Sequence, residues 1–350
     1  MIADTLQEIT PEAQVKWDHF VLESPFGHIF QTINWGEIAK FQGWRVQHFW
    51  VCEGDSIKAV AQVLTRSKLG FSIQYIPRGP IFSDFESLRN LIDHLRKPLI
   101  GGRLLSCRIN PATLKSTAYE NWFFLNGFIK STTREMHVCT FRIDLSKTLE
   151  NIWADFDKRV RTSIRKAEKT GVCIDDSGSK KALNDFYQVY KGLSASNKTT
   201  THSFEFIWEV WNRFAPGGNV KIFNAIFEGL PVATVLLFSY RRIGEIIWLA
   251  NTKLNKDIGA SQLIHWNVVK YLKASGYEYY DLGGVPYDPN ELPGIYSYKK
   301  NLGGEFVEFQ GEYELSGNPC LFIFWKIYRA LQLKLKNSKR SFQRLMKFFS

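Results

Sequence analysis

The chain is poor in cysteine, and what it has is scattered. Cys52, Cys107, Cys139, Cys173 and Cys320 are an odd number with no C-x-x-C spacing. That distribution excludes a disulfide framework and a cysteine-based zinc site, and it fits buried single thiols in a reducing cytoplasm. The seven histidines are dispersed without ligand spacing, so no metal is expected. There is no G-x-S-x-G segment, which removes the nucleophile elbow of an α/β-hydrolase. No apolar run is long enough to span a bilayer. The opening MIADTLQEITPEAQ is too acidic and polar for a secretory signal.

Aromatic and apolar material is plentiful: 11 Trp and 27 Phe within a 45% hydrophobic chain argue against disorder and for a large core. At 350 residues, two domains are expected. The net charge of +11 is unevenly placed. Residues 316–350 carry eight basic side chains and no acid, so 11 − 8 leaves about +3 for the body. Residues 334–349 read as a basic amphipathic helix suited to the anionic inner face of a membrane.

The hydrophobic period divides the rest into two successive mixed α/β halves, expected at 1–145 and 146–315, with 316–350 as a helical tail. Helices are expected at 11–24, 34–42, 84–97, 155–169, 180–194, 203–214 and 260–275. Strands are expected at 46–52, 57–65, 71–76, 104–109, 136–144, 172–174, 220–227, 232–239, 244–250 and 277–282. The fold class is therefore α/β (α+β).

Four places could carry chemistry. On the expected helix 155–169, Lys158, Arg161 and Arg165 form a basic stripe opposite Val160 and Ile164, a surface for a polyanion such as diphosphate or tRNA, or simply a solvated face. Gly259 and Ala260 open a long helix directly after a strand, where unpaired N–H groups can hold pyrophosphate. His202 sits in a polar loop between helices. The run Tyr280–Glu305 is the densest signal. Gly283 and Gly284 allow close backbone approach, Pro286, Pro289 and Pro293 stiffen the path, and Tyr296, Tyr298, Lys299 and Lys300 follow on a shaped loop. A lysine there can stabilise an oxyanion as a fixed charge.

Together these segments resemble the FemABX family of peptidoglycan aminoacyltransferases. HIFQTINWGEIAKFQGW (28–44) is similar to its Q-x-x-x-W segment, and QYIPRGPIF (74–82) to its Y-x-x-[RK]-G-P strand end. DKRVRTSIRKAEKTGV (157–172) resembles the basic helix that opens the second half. YDLGGVPYDPNELPGIYSYKKNLGGE resembles the closing D-[FL]-G-G … Y-x-[FY]-K signature.

The resemblance implies two tandem GNAT-like domains of the short type without a coiled-coil arm. It implies aminoacyl-tRNA as co-substrate, no cofactor, and a primary amine of a nucleotide- or lipid-linked peptidoglycan precursor as acceptor. Lys299 then matches the lysine that stabilises the transition state, and Lys40 lies at a phosphate-binding lysine. His202 stands where the family has a phosphate-binding arginine, and Asn110 where it has an aspartate. Arg78, Asp281, Gly283, Gly284, Tyr296 and Tyr298 would line the substrate cleft, with Lys300 beside the donor's phosphates. Two alternatives stay open: an acyl-CoA-dependent N-acyltransferase of polysaccharide synthesis, and a tRNA-dependent enzyme of a natural-product pathway.

Overall fold

In the computed structural model the described residues are 1–317, apart from 7, 8, 69, 101, 102, 133 and 198–200, together with 323, 324 and 327. The basic helix expected at 334–349 lies outside them. No helix among the described residues is long and apolar enough to cross a membrane.

The first half runs β1 (Ile2–Leu6), α1 (Pro11–Glu23), α2 (Ile33–Phe41), β2 (Arg45–Glu53), β3 (Ser56–Lys68), β4 (Phe71–Arg78), β5 (Ile81–Phe82), α3 (Phe85–Ile100), β6 (Leu104–Pro111), α4 (Thr117–Leu125) and β7 (Ile129–Lys130). The second runs β8 (Cys139–Asp144), α5 (Leu149–Asp155), α6 (Lys158–Lys169), β9 (Cys173–Asp175), α7 (Lys180–Asn197), α8 (Phe204–Phe214), β10 (Val220–Phe227), β11 (Leu230–Tyr240), β12 (Ile243–Asn251), α9 (Asn255–Ile258), α10 (Ala260–Ala274), β13 (Tyr279–Val285) and α11 (Pro293–Lys300). Two short strands close the chain, β14 (Glu305–Glu308) and β15 (Tyr313–Leu315).

Each half builds its own mixed sheet. The first has the order β1-β2-β3-β4-β6-β15-β7, with β5 beside β3, and the second β14-β8-β13-β12-β11-β10-β9. Antiparallel hairpins lead in both to one parallel pair, β4–β6 in the first sheet and β12–β13 in the second. Helices bury apolar faces against them: Leu88, Leu91, Ile92 and Leu95 of α3 on the first, Leu263, Ile264, Val268 and Leu272 of α10 on the second. A third cluster joins the halves, with Ile29, Phe30 and Ile38 packed among Val210, Phe214 and Phe238.

The expected boundary at 145/146 is shifted. Strand β8 belongs to the second sheet, and β15 returns the chain to the first. The expected helix 155–169 is two helices. Asp157 caps α6 by accepting the Arg159 N–H, and Phe156 is the extended C-cap of α5. The expected loop before Lys299 is helix α11, opened by Pro293 at its first turn. Helix α4 and strand β1 have no counterpart in the sequence-based expectation. Cys107 and Cys139 are buried as expected, but Cys173 is exposed.

Candidate active site

Parallel strands place their carboxyl ends, and the groups that follow them, beside a crevice where ligands bind. In the second sheet the parallel pair is short. Strands β12 and β13 are in register only from Ile243/Tyr279 to Glu245/Asp281, and then diverge. A bulge in β12 leaves Ile247 without a partner in β11, since Leu236 faces Trp248 and Leu237 faces Ile246. On β13, Gly283 adopts φ 74, and a Cβ there would lie 2.7 Å from the Ile246 carbonyl oxygen. A Cβ on Gly284 would lie 2.4 Å from Cβ of His137. Both glycines are thus required where the two strands part.

Lys299 reaches this point from α11. Its Nζ donates to the Gly284 carbonyl at 2.9 Å, and a Cβ on Gly283 would come within 3.4 Å of it. Burial pulls the Lys299 pKa down to about 8, while Asp281 and Glu245 work to raise it. The ammonium form therefore still predominates at neutral pH. Lys300, the next residue, points out to solvent.

Asp281 is fully engaged. Its Oδ1 accepts the Gly283 N–H at 2.9 Å and lies 2.5 Å from the Thr140 hydroxyl, and its Oδ2 accepts Arg142 Nε at 2.9 Å. It shapes the strand end and fixes Arg142.

The first half supplies the facing wall. Arg78 ends β4 in a left-handed conformation (φ 52) and is 1% exposed. Its Nη2 donates to His137 Nε2 at 2.8 Å, and its guanidinium lies 4.5 Å from the Phe309 ring centroid. Burial and the Arg78 charge drive His137 down to about 3, which keeps that nitrogen an acceptor. Asn110, at the end of β6, is completely buried. Neither of its side-chain polar atoms, nor Arg78 Nε or Nη1, has a partner among the described residues. Such buried orphans are costly without a ligand or water.

Three residues of this cluster were not singled out from the sequence: His28, His137 and Glu245. His28 Nδ1 accepts the Phe30 N–H at 3.2 Å, so Nε2 carries the proton and donates to Glu245 Oε2 at 3.1 Å. Burial favours the neutral imidazole. Burial is the largest single influence on Glu245 and works to raise its pKa, but the His28 hydrogen bond and the electrostatic pull of His28 and His137 together hold the carboxyl below its usual range.

Several expected site residues lie elsewhere. Lys40 is exposed and paired with Glu37 at 2.7 Å. His202 stacks on Phe206 (4.2 Å between centroids), meets Trp248 edge-on and lies 3.4 Å from Gln42 Nε2, so it belongs to the junction of α2 with α7 and α8. Tyr296 packs on Phe141 and Phe306 in the second core rather than lining the cleft. Tyr298 is half-buried beside His265, whose Nδ1 lies 2.7 Å from the Tyr280 hydroxyl.

Arg161 turns back to the carbonyls at the end of α5, donating to Ala154 O at 2.8 Å and to Phe156 O. That makes it a helix-joining residue. Lys158 and Arg165 stay exposed, Arg165 lying 5.5 Å from the Trp153 ring centroid. Gly259 is explained by packing, since a Cβ would meet Ser163 O at 2.5 Å. The helix start it precedes is already occupied: Asn255 Oδ1 accepts both the N–H and the hydroxyl of Ser261.

The architecture defines the class first: two tandem GNAT-like halves with a cluster of buried polar side chains from both where they meet. An acetyltransferase (GNAT) domain matches residues 154–300, and the FemAB family matches residues 13–136. The resemblance to FemABX proteins drawn from the sequence therefore holds, one match falling on each half. The crystal structure of FemX superposes with a TM-score of 0.81 at 19% identity, covering 92% of this chain and 99% of that one. A tandem GNAT protein from the clavulanic acid biosynthesis pathway superposes at 0.57 with 9% identity, over 91% and 99%.

Among proteins of known activity, the lipid II:glycine glycyltransferase of Staphylococcus haemolyticus (strain JCSC1435) is 24% identical over 230 residues, 61% of this chain and 54% of that protein. This match thus spans about half the length of the relative. The Staphylococcus aureus (strain MRSA252) protein of the same name is 20% identical over 414 aligned positions, 94% of this chain and 97% of the relative.

Proposed function

We propose that the protein is an aminoacyltransferase that extends a peptidoglycan precursor, using aminoacyl-tRNA as donor. The observation that carries this reading is Lys299, a half-buried ammonium held by Gly284 O where β12 and β13 part. The likeness to two lipid II:glycine glycyltransferases supports the acceptor class.

The reaction is aminolysis of an ester. The acceptor amine adds to the ester carbonyl, the carbonyl oxygen gains negative charge, and Lys299 offsets that charge. Collapse breaks the carbon–oxygen bond, and the ribose hydroxyl leaves with the proton the amine gives up. A preorganised cation in a water-poor site suits the oxyanion, and the two halves hold donor and acceptor together. Lys158 and Arg165 are exposed where a tRNA backbone would pass. Peripheral binding of 334–349 to the inner membrane face would bring the enzyme to a lipid-linked acceptor.

An acyl-CoA donor is less well supported, because the helix start that would receive its pyrophosphate is filled by Asn255 and pressed on Ser163. The test is incubation with a charged-tRNA mixture and either nucleotide-linked or lipid-linked stem peptide, read by mass spectrometry. A product heavier by one or more aminoacyl residues, absent with Lys299→Ala, is expected. Tight CoA binding with no tRNA-dependent product overturns the reading.

A further inference from the structure

Of the two carboxylates brought together with Lys299, Asp281 and Glu245, only Glu245 has an oxygen without a hydrogen-bond partner among the described residues. It is 8% exposed and stands on the last paired rung of β12, opposite Asp281, where the strands begin to part. Its Oε2 is taken by His28, while its Oε1 has no partner among the described residues. His137 Nε2 lies 3.6 Å from that oxygen. That nitrogen cannot donate, because its lone pair already accepts the Arg78 N–H at 2.8 Å. Asp281 has Arg142 as an ion-pair partner at 2.9 Å. Glu245 has the neutral His28 imidazole as its hydrogen-bond donor, while Lys299, whose Nζ donates to Gly284 O, acts on it only through its charge. A buried anion with one satisfied oxygen is expensive unless a further donor arrives.

A metal ion is the first candidate to weigh, since His137, Glu245 and Asp281 bring ligand atoms within 4.8 Å of one another. The bonding argues against it. The His137 nitrogen is engaged by Arg78, both Asp281 oxygens are engaged, and the Arg78 and Lys299 cations stand at the same cluster. Only one ligand atom, Glu245 Oε1, is left to offer. One anionic acceptor beside fixed cations suits a compact donor on a substrate.

We infer that Glu245 Oε1 is a subsite for a primary ammonium group of a substrate, placed beside the Lys299 charge. This rests on the aminoacyltransfer reading, in which two primary amines enter the cleft: the α-amine of the aminoacyl donor and the acceptor amine. An α-aminoacyl ester carries its ammonium and its carbonyl oxygen on adjacent carbons, so the pairing of Glu245 with Lys299 matches both at once.

The experiment uses the full chain and small probes. Glycinamide stands for the donor end, and Nα-acetyl-lysine methylamide for an acceptor amine. N-acetylglycinamide and the doubly acetylated lysine methylamide are the neutral controls. Binding is read by titration calorimetry or by chemical-shift perturbation. Wild type should bind at least one ammonium probe about tenfold or more tightly than its acetylated control, and Glu245→Gln should remove that difference. Gln keeps an acceptor for His28, and the wild-type comparison stands even if the variant folds poorly. Preference for glycinamide places the donor amine at Glu245, and preference for the lysine probe places the acceptor.

Equal binding of ammonium and acetylated probes by wild type overturns the subsite. So does tight Mn2+ or Zn2+ binding that Glu245→Gln abolishes. The two readings fail separately. Loss of transfer in Lys299→Ala with unchanged ammonium binding leaves both intact. Absence of any tRNA-dependent product, with ammonium binding retained, removes the transferase reading alone.

Discussion

The two halves share a plan and differ at one place. In the first sheet the parallel pair β4–β6 stays in register over six rungs, from Ile73/Ser106 to Arg78/Pro111, after one shift at Ser72. In the second, β12–β13 parts after three rungs, at Glu245/Asp281. The closed pair delivers a wall, with Arg78 and Asn110 buried at its end. The parted pair delivers an opening, with Lys299 beside it. The difference traces to a few residues: the bulge at Ile247, the left-handed Gly283 and the contact of Gly284 with His137. On the proposed reading, the duplicated architecture carries one reactive centre in the second half, and the first half serves as its partner surface.

The strongest way to break this asymmetry is to remove the charge at the opening. Lys299→Ala should lower transfer by about 10²–10³-fold, the usual cost of losing an oxyanion-stabilising donor. The same change should not destabilise the fold. The Lys299 pKa falls from 10.5 to about 8 on folding, so the unfolded chain binds the extra proton between those values. Keeping the charge buried at neutral pH therefore costs stability, and Lys299→Met should gain about 1–3 kcal/mol in denaturant titrations. The transfer rate should also decline as pH rises through about 8, when the ammonium is lost. A rate that climbs through that window would make the lysine a base instead.

The second test closes the opening by bulk. Gly284→Ala places a methyl 2.4 Å from His137 Cβ, and Gly283→Ala adds a left-handed strain and a contact with Ile246 O. Each should destabilise by about 1–3 kcal/mol and lower transfer, measured by thermal unfolding and product yield. Glycines that line no parting strands, such as Gly192 with nothing near its Cβ position, should accept alanine without loss.

A third prediction concerns acid. His137 and His265 titrate near 3 in the fold, because burial disfavours their charged forms, against an ordinary value of 6.5. The unfolded chain takes up their protons first. Their contribution is thus intact above about 6.5 and is lost as pH falls towards 3. Stability measured against pH should fall steeply in that window. His265→Phe should flatten part of the slope, though it leaves the Tyr280 hydroxyl unpaired.

The segments readable in the sequence are those whose signal is local. Alternation located the β2–β3 and β10–β11 hairpins, and Gly-Gly followed by Tyr-Ser-Tyr-Lys-Lys marked the segment that carries Lys299 in the candidate site. Glu245 and His28 were invisible for a physical reason. They are 217 positions apart, and only the packing of the two halves makes them neighbours. Glu245 sits in a strand reading Ile-Gly-Glu-Ile-Ile-Trp, where a single acid looks like an edge residue. The exchange of β8 and β15 between sheets was equally hidden, since a three- or six-residue strand carries no mark of which sheet it joins. Residue chemistry alone does not tell Lys299 from Lys300; the resemblance singles out Lys299, and the helical pitch of α11 turns that one inward.

The smallest effects separate two arginines of α6 that read the same in sequence. Arg161 donates to the carbonyls of Ala154 and Phe156, which otherwise lack helical partners at the end of α5. Arg161→Ala should cost about 1 kcal/mol of stability and leave the salt dependence of tRNA binding unchanged. Arg165 and Lys158 are exposed and bond to no carbonyl in the described residues. Arg165→Ala or Lys158→Ala should leave stability within about 0.5 kcal/mol. Each should weaken tRNA binding and reduce the slope of log K against log salt by about 1. The reverse pattern, with Arg161 carrying the salt slope, would show that its bond to α5 opens on binding, and the basic face would then have to be redrawn around it.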